Sequence, residues 1–284
     1  MEGNLRIHVE YDTLTGMEQG LWPRFYLQML QLGQLTIGKI DIEERLERIR
    51  TVLMPKLEQL HQSYAAILQG IQEYQSGVVS GKYFHGRAGG STQLDRSPEL
   101  AVRNEAEKFI IQAKLVYVAF VNSEFLDEPG FLLKTYALRQ KLTDLIAQYS
   151  KSKDPKYLPL LHVLEKANAL FLNDLTNLRG DIEHQSFSIE KFELVIGDTG
   201  ATVREPLLQG VMLSERITFF YEHLLQFIEK MMAYFIGINA ERAIPGMTQL
   251  FVDDEFNYQQ QRYKYTFTFG GVPWSMTARR CLYD

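Results

Sequence analysis

The stretch Asn173-Asp174-Leu175-Thr176-Asn177-Leu178-Arg179-Gly180-Asp181-Ile182-Glu183-His184 crowds polar groups onto a segment whose other face is apolar. Histidine is the side chain best able to give or take a proton near neutral pH. Arginine is a permanent cation whose planar fork fits phosphate oxygens. Arg179 and His184 together hold what phosphodiester cleavage without a metal would need. One group removes the proton of an RNA 2′-hydroxyl, and a cation stabilises the charged pentacoordinate phosphate. Asn173, Asn177, Asp181 and His184 recur at intervals of four, four and three, so on a helix they form one polar stripe.

The spacing constrains how the pair can work. At roughly 100° per residue, Arg179 and His184 stand about 140° apart around a helix axis. One straight helix therefore does not easily aim both at the same phosphate. Either Gly180 loosens the last turns, or a second copy of the chain supplies the missing partner across a two-fold interface, and the second arrangement is the expected one. The same residues also allow a plain alternative. A polar stripe at a helix end can be a solvated face, with Arg179 and Glu183 an i, i+4 ion pair contributing a few tenths of a kcal/mol.

Other chemistry-bearing patterns are weaker. No Walker loop, G-x-G-x-x-G after a strand, H-E-x-x-H or G-x-S-x-G occurs. The run His85-Gly86-Arg87-Ala88-Gly89-Gly90 has glycine amides that could approach an anion, but no lysine–serine pair follows, and a flexible loop explains it as well. The histidines His8, His61, His85, His162, His184 and His223 are scattered without metal-ligand spacing, so neither a metal nor another cofactor is expected. His61 and His162 fall in helical patterns and are expected to be partly buried packing residues.

The elements that must position these groups are mostly helical. From about Asp41 to Gln75, Leu46, Ile49, Leu53, Leu57, Leu60, Tyr64, Ile67 and Ile71 recur at helical spacing, and Pro55 is expected to kink or split the run. Ser76 to Ser97, with five glycines, is expected as a long mobile loop. A helix capped by Ser97 with Pro98 in its first turn runs to about Phe125, apolar on most sides from Phe109 to Val121. Phe131 to Tyr149 is another, and Tyr157 to about His184 another, with Leu160, Leu164, Ala167, Phe171, Leu175, Leu178 and Ile182 as its core stripe. Alternation on either side of Gly197-Asp198-Thr199-Gly200 predicts a hairpin. Ser214 to Ile238 is a strongly amphipathic helix. Leu5 to Tyr11 and Tyr263 to Phe269 alternate as terminal strands. The fold class is mainly α, a bundle of about five helices with an inserted β-hairpin and short terminal strands.

Thirty basic and 35 acidic side chains give a net charge of −5, so nucleic acid would have to be met by a local patch rather than by bulk charge. The lone Cys281 excludes an intramolecular disulfide and suits a reducing cytoplasm. Apolar runs such as Leu115 to Val121 are too short to span a bilayer, and the opening Met-Glu-Gly-Asn lacks the basic and apolar parts of a signal peptide. The expectation is a cytoplasmic protein with no membrane partner.

Arg179-Gly180-Asp181-Ile182-Glu183-His184, late in an all-α context and before a final helix, resembles the HEPN superfamily, whose hallmark is Arg, four to six residues, then His. Family members commonly carry a polar residue directly after the arginine, where this chain has Gly180, with Asp181 one place later. No internal repeat and no Pro- or Ser-rich linker divides the chain, so a single domain over 1–284 is expected, and the resemblance implies a HEPN-like core over 40–240 with accessory strands at 1–20 and 247–271. It further implies a metal-independent endoribonuclease acting as a homodimer, a hydrolase of toxin–antitoxin or other defence systems, with an antitoxin or other protein as partner. Arg179 would bind and stabilise the scissile phosphate, His184 would transfer the proton, and Asp181, Asn177 and Glu183 would support them. RNA binding would draw on Lys134, Arg139 and Lys141, with Lys151, Lys153 and Lys156 beyond, although such a run also suits an ordinary solvated helix face. Some relatives keep the fold without activity, so the alternative is a non-catalytic dimerisation and RNA- or protein-binding module. A third option keeps the groove for a mononucleotide.

Overall fold

The computed structural model describes residues 29, 33, 41–86, 92–126, 147, 151, 157–197, 200–243, 249–252, 265–269 and 272–273, and these are mainly helical. The chain divides into two compact units, one of Glu47–Phe235 and one of Met1–Leu46 with Ile236–Asp284. The expected strand over Leu5 to Tyr11 and the helix over Phe131 to Tyr149 lie outside the described residues, apart from Ala147.

Helix α1 spans Ile42–Val52 and α2 spans Met54–Val79. Pro55 splits them. It falls in the first turn of α2, where its missing N–H removes no helical bond. Leu57, Leu60, Ile67 and Ile71 are buried along one face of α2, joined by Tyr74 and Val78.

The helix then runs further than expected, through Ser76 and Gly77, before β1 (Phe84–Gly86) pairs antiparallel with β2 (Thr92–Leu94). The segment read as a loop is thus partly helix and partly hairpin. Gly77 does not break α2. Its missing side chain makes room for the Tyr83 ring, which a Cβ there would strike, and Gly81, at φ +79°, makes the turn out of the helix.

Helix α3 covers Ser97–Val121. Asp95 closes its start, accepting bonds from the Ser97 N–H at 2.9 Å and the Ser97 hydroxyl at 2.7 Å. The carboxylate therefore caps where Ser97 was expected to, and those two bonds hold the Asp95 carboxyl below the usual carboxylate range. A 3-10 turn follows at Glu124–Leu126.

Next come α4 (Leu158–Ala167), a π-helical turn at Asn168–Leu172 and α5 (Asn173–Glu183). They run on without interruption. Taken as one helix, they bring the total to five among the described residues. Of the core stripe expected here, Leu160, Leu164, Ala167, Phe171, Leu175 and Leu178 are all buried, while Ile182, in the last turn, is only half-buried.

The expected hairpin is β3 (Glu193–Gly197) with β4 (Gly200–Arg204), in register from Glu193↔Arg204 to Gly197↔Gly200. A second small hairpin, β5 (Leu207–Leu208) with β6 (Val211–Met212), turns through Gln209 and Gly210 at φ 55° and 78°. Two positive φ values match the right-handed twist of the flanking strands. This hairpin delivers the chain to α6 (Leu213–Ala243), where Glu205 accepts bonds from the Ser214 N–H and hydroxyl.

In the Glu47–Phe235 unit, α2 packs against α3 and β4, and α3 packs against α5. The first half of α6 joins them through rings. Tyr64 stacks on Tyr221 at 4.3 Å, while Tyr117, Phe120 and Phe171 close around Phe227. In the other unit, β7 (Gln249–Val252), β8 (Tyr265–Phe269) and β9 (Val272–Pro273) form an antiparallel sheet in the order β7-β8-β9. Among the described residues no helix is long and apolar enough to cross a membrane.

Candidate functional site

Helix α5 ends in a complete Schellman motif. Gln185 takes a left-handed backbone at φ 57°, its N–H donates to Ile182 O at 3.2 Å, and the Ser186 N–H donates to Asp181 O at 2.8 Å. These bonds satisfy carbonyls that a helix end otherwise leaves open. The usual apolar clasp across such a motif is replaced by a polar one, the Ser186 hydroxyl donating to the Asp181 carboxylate at 3.3 Å. The motif fixes His184 as the cap residue of α5, at φ −90° and ψ 7°, with its N–H donating to Gly180 O at 2.9 Å.

The candidate residues fall into separate environments. The His184 ring is exposed and makes no hydrogen bond or ion pair among the described residues. Arg179 keeps 37% of its side chain exposed and pairs with Glu183 at 2.8 Å, one turn on. Nothing joins Arg179 to His184 within one chain among the described residues. The i, i+4 ion pair named above is therefore present. Asp181 serves the helix end through Ser186, and Asn177 is exposed. One turn before Asn177 on α5, Asp174 pairs with Arg216 at 2.8 Å, whose guanidinium lies over Phe220 at 4.7 Å; this contact ties α5 to α6.

A residue with no role in the motif completes the surroundings of Arg179. Lys114, on α3, is only 7% exposed. Its ammonium donates to the Thr176 hydroxyl at 2.8 Å and lies 4.7 Å from the Tyr117 ring centre. The Thr176 hydroxyl in turn donates to Leu172 O at 2.7 Å, so its lone pairs are left for the ammonium. Burial, with added repulsion from Arg179, pushes the Lys114 ammonium below its ordinary range. The neighbouring Tyr117 hydroxyl is buried without a hydrogen-bond partner among the described residues, and burial raises it to about 12. The signal for Lys114 was a single charge inside the apolar run Phe109 to Val121. Periodicity alone does not say which way that charge points.

The remaining candidates are dispersed. Lys134, Arg139, Lys141, Lys153 and Lys156 lie outside the described residues, and Lys151 is exposed. His61 is partly buried as expected and bonds the Tyr221 hydroxyl at 2.8 Å, and burial raises that hydroxyl to about 12. His162 departs from expectation: it is exposed, on the solvent side of α4, paired with Glu165 at 3.2 Å. Among the described residues no group of three or more His, Cys, Asp or Glu side chains is placed to hold a metal ion. A groove of about 430 Å³ opens between the start of α3 and the segment Ile189–Phe192, with Arg96, Arg103 and Lys191 facing Glu99 and Glu190. Neither Arg179 nor His184 lines it. Comparison of the chain with family models, curated proteins and solved structures gives no match in any of the three.

Proposed function

We propose that the protein is a metal-independent endoribonuclease of HEPN type, with Arg179 and His184 acting across the interface of a homodimer. The observation that carries this reading is the exposed His184 ring at the cap of α5, without a partner among the described residues, a turn and a half beyond an arginine that is itself partly open to solvent. His184 would take the 2′-hydroxyl proton as that oxygen attacks phosphorus. The P–O5′ bond would break to leave a 2′,3′-cyclic phosphate and a 5′-oxygen that takes a proton from water, and Arg179 would hold the phosphate and stabilise its charge in the transition state. Because the pair is not joined within one chain, the phosphate would lie between His184 of one protomer and Arg179 of the other. Glu183 would hold the guanidinium ready in the free protein and yield it to the stronger phosphate charge. Asp181, through the Schellman motif, would keep the His184 backbone in place.

The test is RNA cleavage by purified full-length protein. His184→Ala and Arg179→Ala should each abolish cleavage without changing the thermal midpoint much, and EDTA should have no effect. Cleavage that survives in both variants would refute the assignment. A second reading, a non-catalytic module that dimerises and binds RNA or a protein such as an antitoxin, is favoured by the Arg179–Glu183 ion pair, which occupies the arginine. RNA left intact by a dimeric wild-type protein that still retains it would select that reading.

A further inference from the structure

A buried ammonium normally sits against a carboxylate, because taking an unpaired charge out of water costs several kcal/mol. Lys114 has no carboxylate beside it among the described residues; its polar partner is the neutral Thr176 hydroxyl. The next cation is Arg179. Thr176 and Arg179 are three residues apart on α5 and so share a face, to which Gly180 also belongs. A Cβ at Gly180 would meet nothing within 4 Å, so that face presents open space above bare backbone. Thr176, whose hydroxyl holds the ammonium, is itself exposed, so the lysine ends beside the open part of this face. Lys114 and Arg179 thus set two positive charges beside this face on a protein of net charge −5, with Glu183 paired to Arg179.

We infer that Lys114, Thr176 and Arg179 form an anion subsite on the open face of α5 whose ligand is a backbone phosphate of single-stranded RNA. An RNA phosphate here would supply the negative charge that Lys114 lacks. It would accept from the ammonium, the arginine fork and, after rotation away from Leu172 O, the Thr176 hydroxyl. Lys114 is thus a positioning residue that fixes the strand relative to Arg179. The identity of the strand as RNA rests on the nuclease reading, whereas anion binding at the subsite does not.

The experiment measures binding of a 2′-O-methyl RNA oligonucleotide, which cannot be cleaved, to the full chain over a range of salt. Lys114→Met should lower affinity about tenfold at low salt and reduce the salt slope by about 0.7, the loss of one phosphate contact. Its thermal midpoint should stay the same or rise, since methionine fills the same space without a buried charge. Unchanged affinity and slope would overturn the subsite, and so would a wild-type protein that does not bind the oligonucleotide at all. If Lys114→Met fails to fold, Thr176→Val replaces it, with a several-fold loss expected and wild-type affinity overturning the proposal. Parallel assays on cleavable RNA separate the two ideas. Lys114-dependent binding without cleavage removes the nuclease and keeps the subsite, while cleavage with Lys114-independent binding does the reverse.

Discussion

At the scale of single residues, two side chains hold conformations or charges that cost stability. Gln185 closes α5 with φ 57°, a backbone that a β-carbon disfavours and glycine accepts. Gln185→Gly should therefore stabilise the fold by about 1 kcal/mol, read as a higher urea midpoint with unchanged slope; a lower midpoint would show that the Gln185 side chain makes contacts that outweigh the strain. Lys114 is the second case. Because its ammonium is held below the ordinary value of 10.5, the unfolded chain binds that proton more tightly than the folded one. Its cost is therefore complete below the lowered folded value and fades as pH climbs towards the unfolded value. Lys114→Met should be more stable than wild type near neutral pH, by about 1 kcal/mol, and the gap should narrow as pH rises towards the unfolded value of 10.5. Urea titrations at neutral and alkaline pH decide this, and a gap independent of pH would mean the lysine is not strained in the folded state.

At the scale of elements, the boundaries follow from a few residues whose effects are steric. Pro55 separates α1 from α2 by lacking an N–H and occupying the first turn of the second helix. Gly77 works the other way: a residue type that commonly ends helices is kept inside α2 because the Tyr83 ring packs against its bare backbone. Tyr83 also lies 5.6 Å, ring to ring, from Tyr74, which is buried in the core. Gly77→Ala should improve the helix propensity of α2 yet destabilise the protein by about 2 kcal/mol through that clash. In a Tyr83→Ser background, which lacks the ring, Gly77→Ala should cost little or nothing, and thermal unfolding of the two single variants and the double measures the coupling. The π turn at Asn168–Leu172 has a comparable local role. It allows Phe171 and Leu172 both to be buried while α5 continues with Leu175 and Leu178 facing the core.

At the scale of the molecule, the proposed activity depends on an assembly of two chains. If the site combines Arg179 of one protomer with His184 of the other, a mixture of Arg179→Ala and His184→Ala proteins forms heterodimers in which one of the two sites is intact. After subunit exchange such a mixture should recover about a quarter of wild-type cleavage, although each variant alone is inactive. No recovery, with exchange verified by labelled subunits, would place both residues within one chain and end the shared-site arrangement.

Much of this protein was legible from its sequence, because helix periodicity reports burial directly. The stripes Leu57 to Ile71 and Leu160 to Leu178, the break at Pro55 and the Gly197–Gly200 hairpin all rest on local spacing that tertiary contacts reinforce. The stripe of Asn177, Asp181 and His184 was legible in the same way, as was the i, i+4 closeness of Arg179 to Glu183. Tertiary structure decided the matters that depend on residues far apart in the chain. Gly77 stays helical because the Tyr83 ring packs against it, and the Asp95 carboxylate rather than Ser97 serves the start of α3; local spacing specifies neither. Lys114 stands 62 positions before Thr176, and no local pattern relates them. Only the packing of α3 on α5 sets that ammonium beside Arg179, because a charge inside an apolar helix must find whatever polar group the neighbouring helix presents.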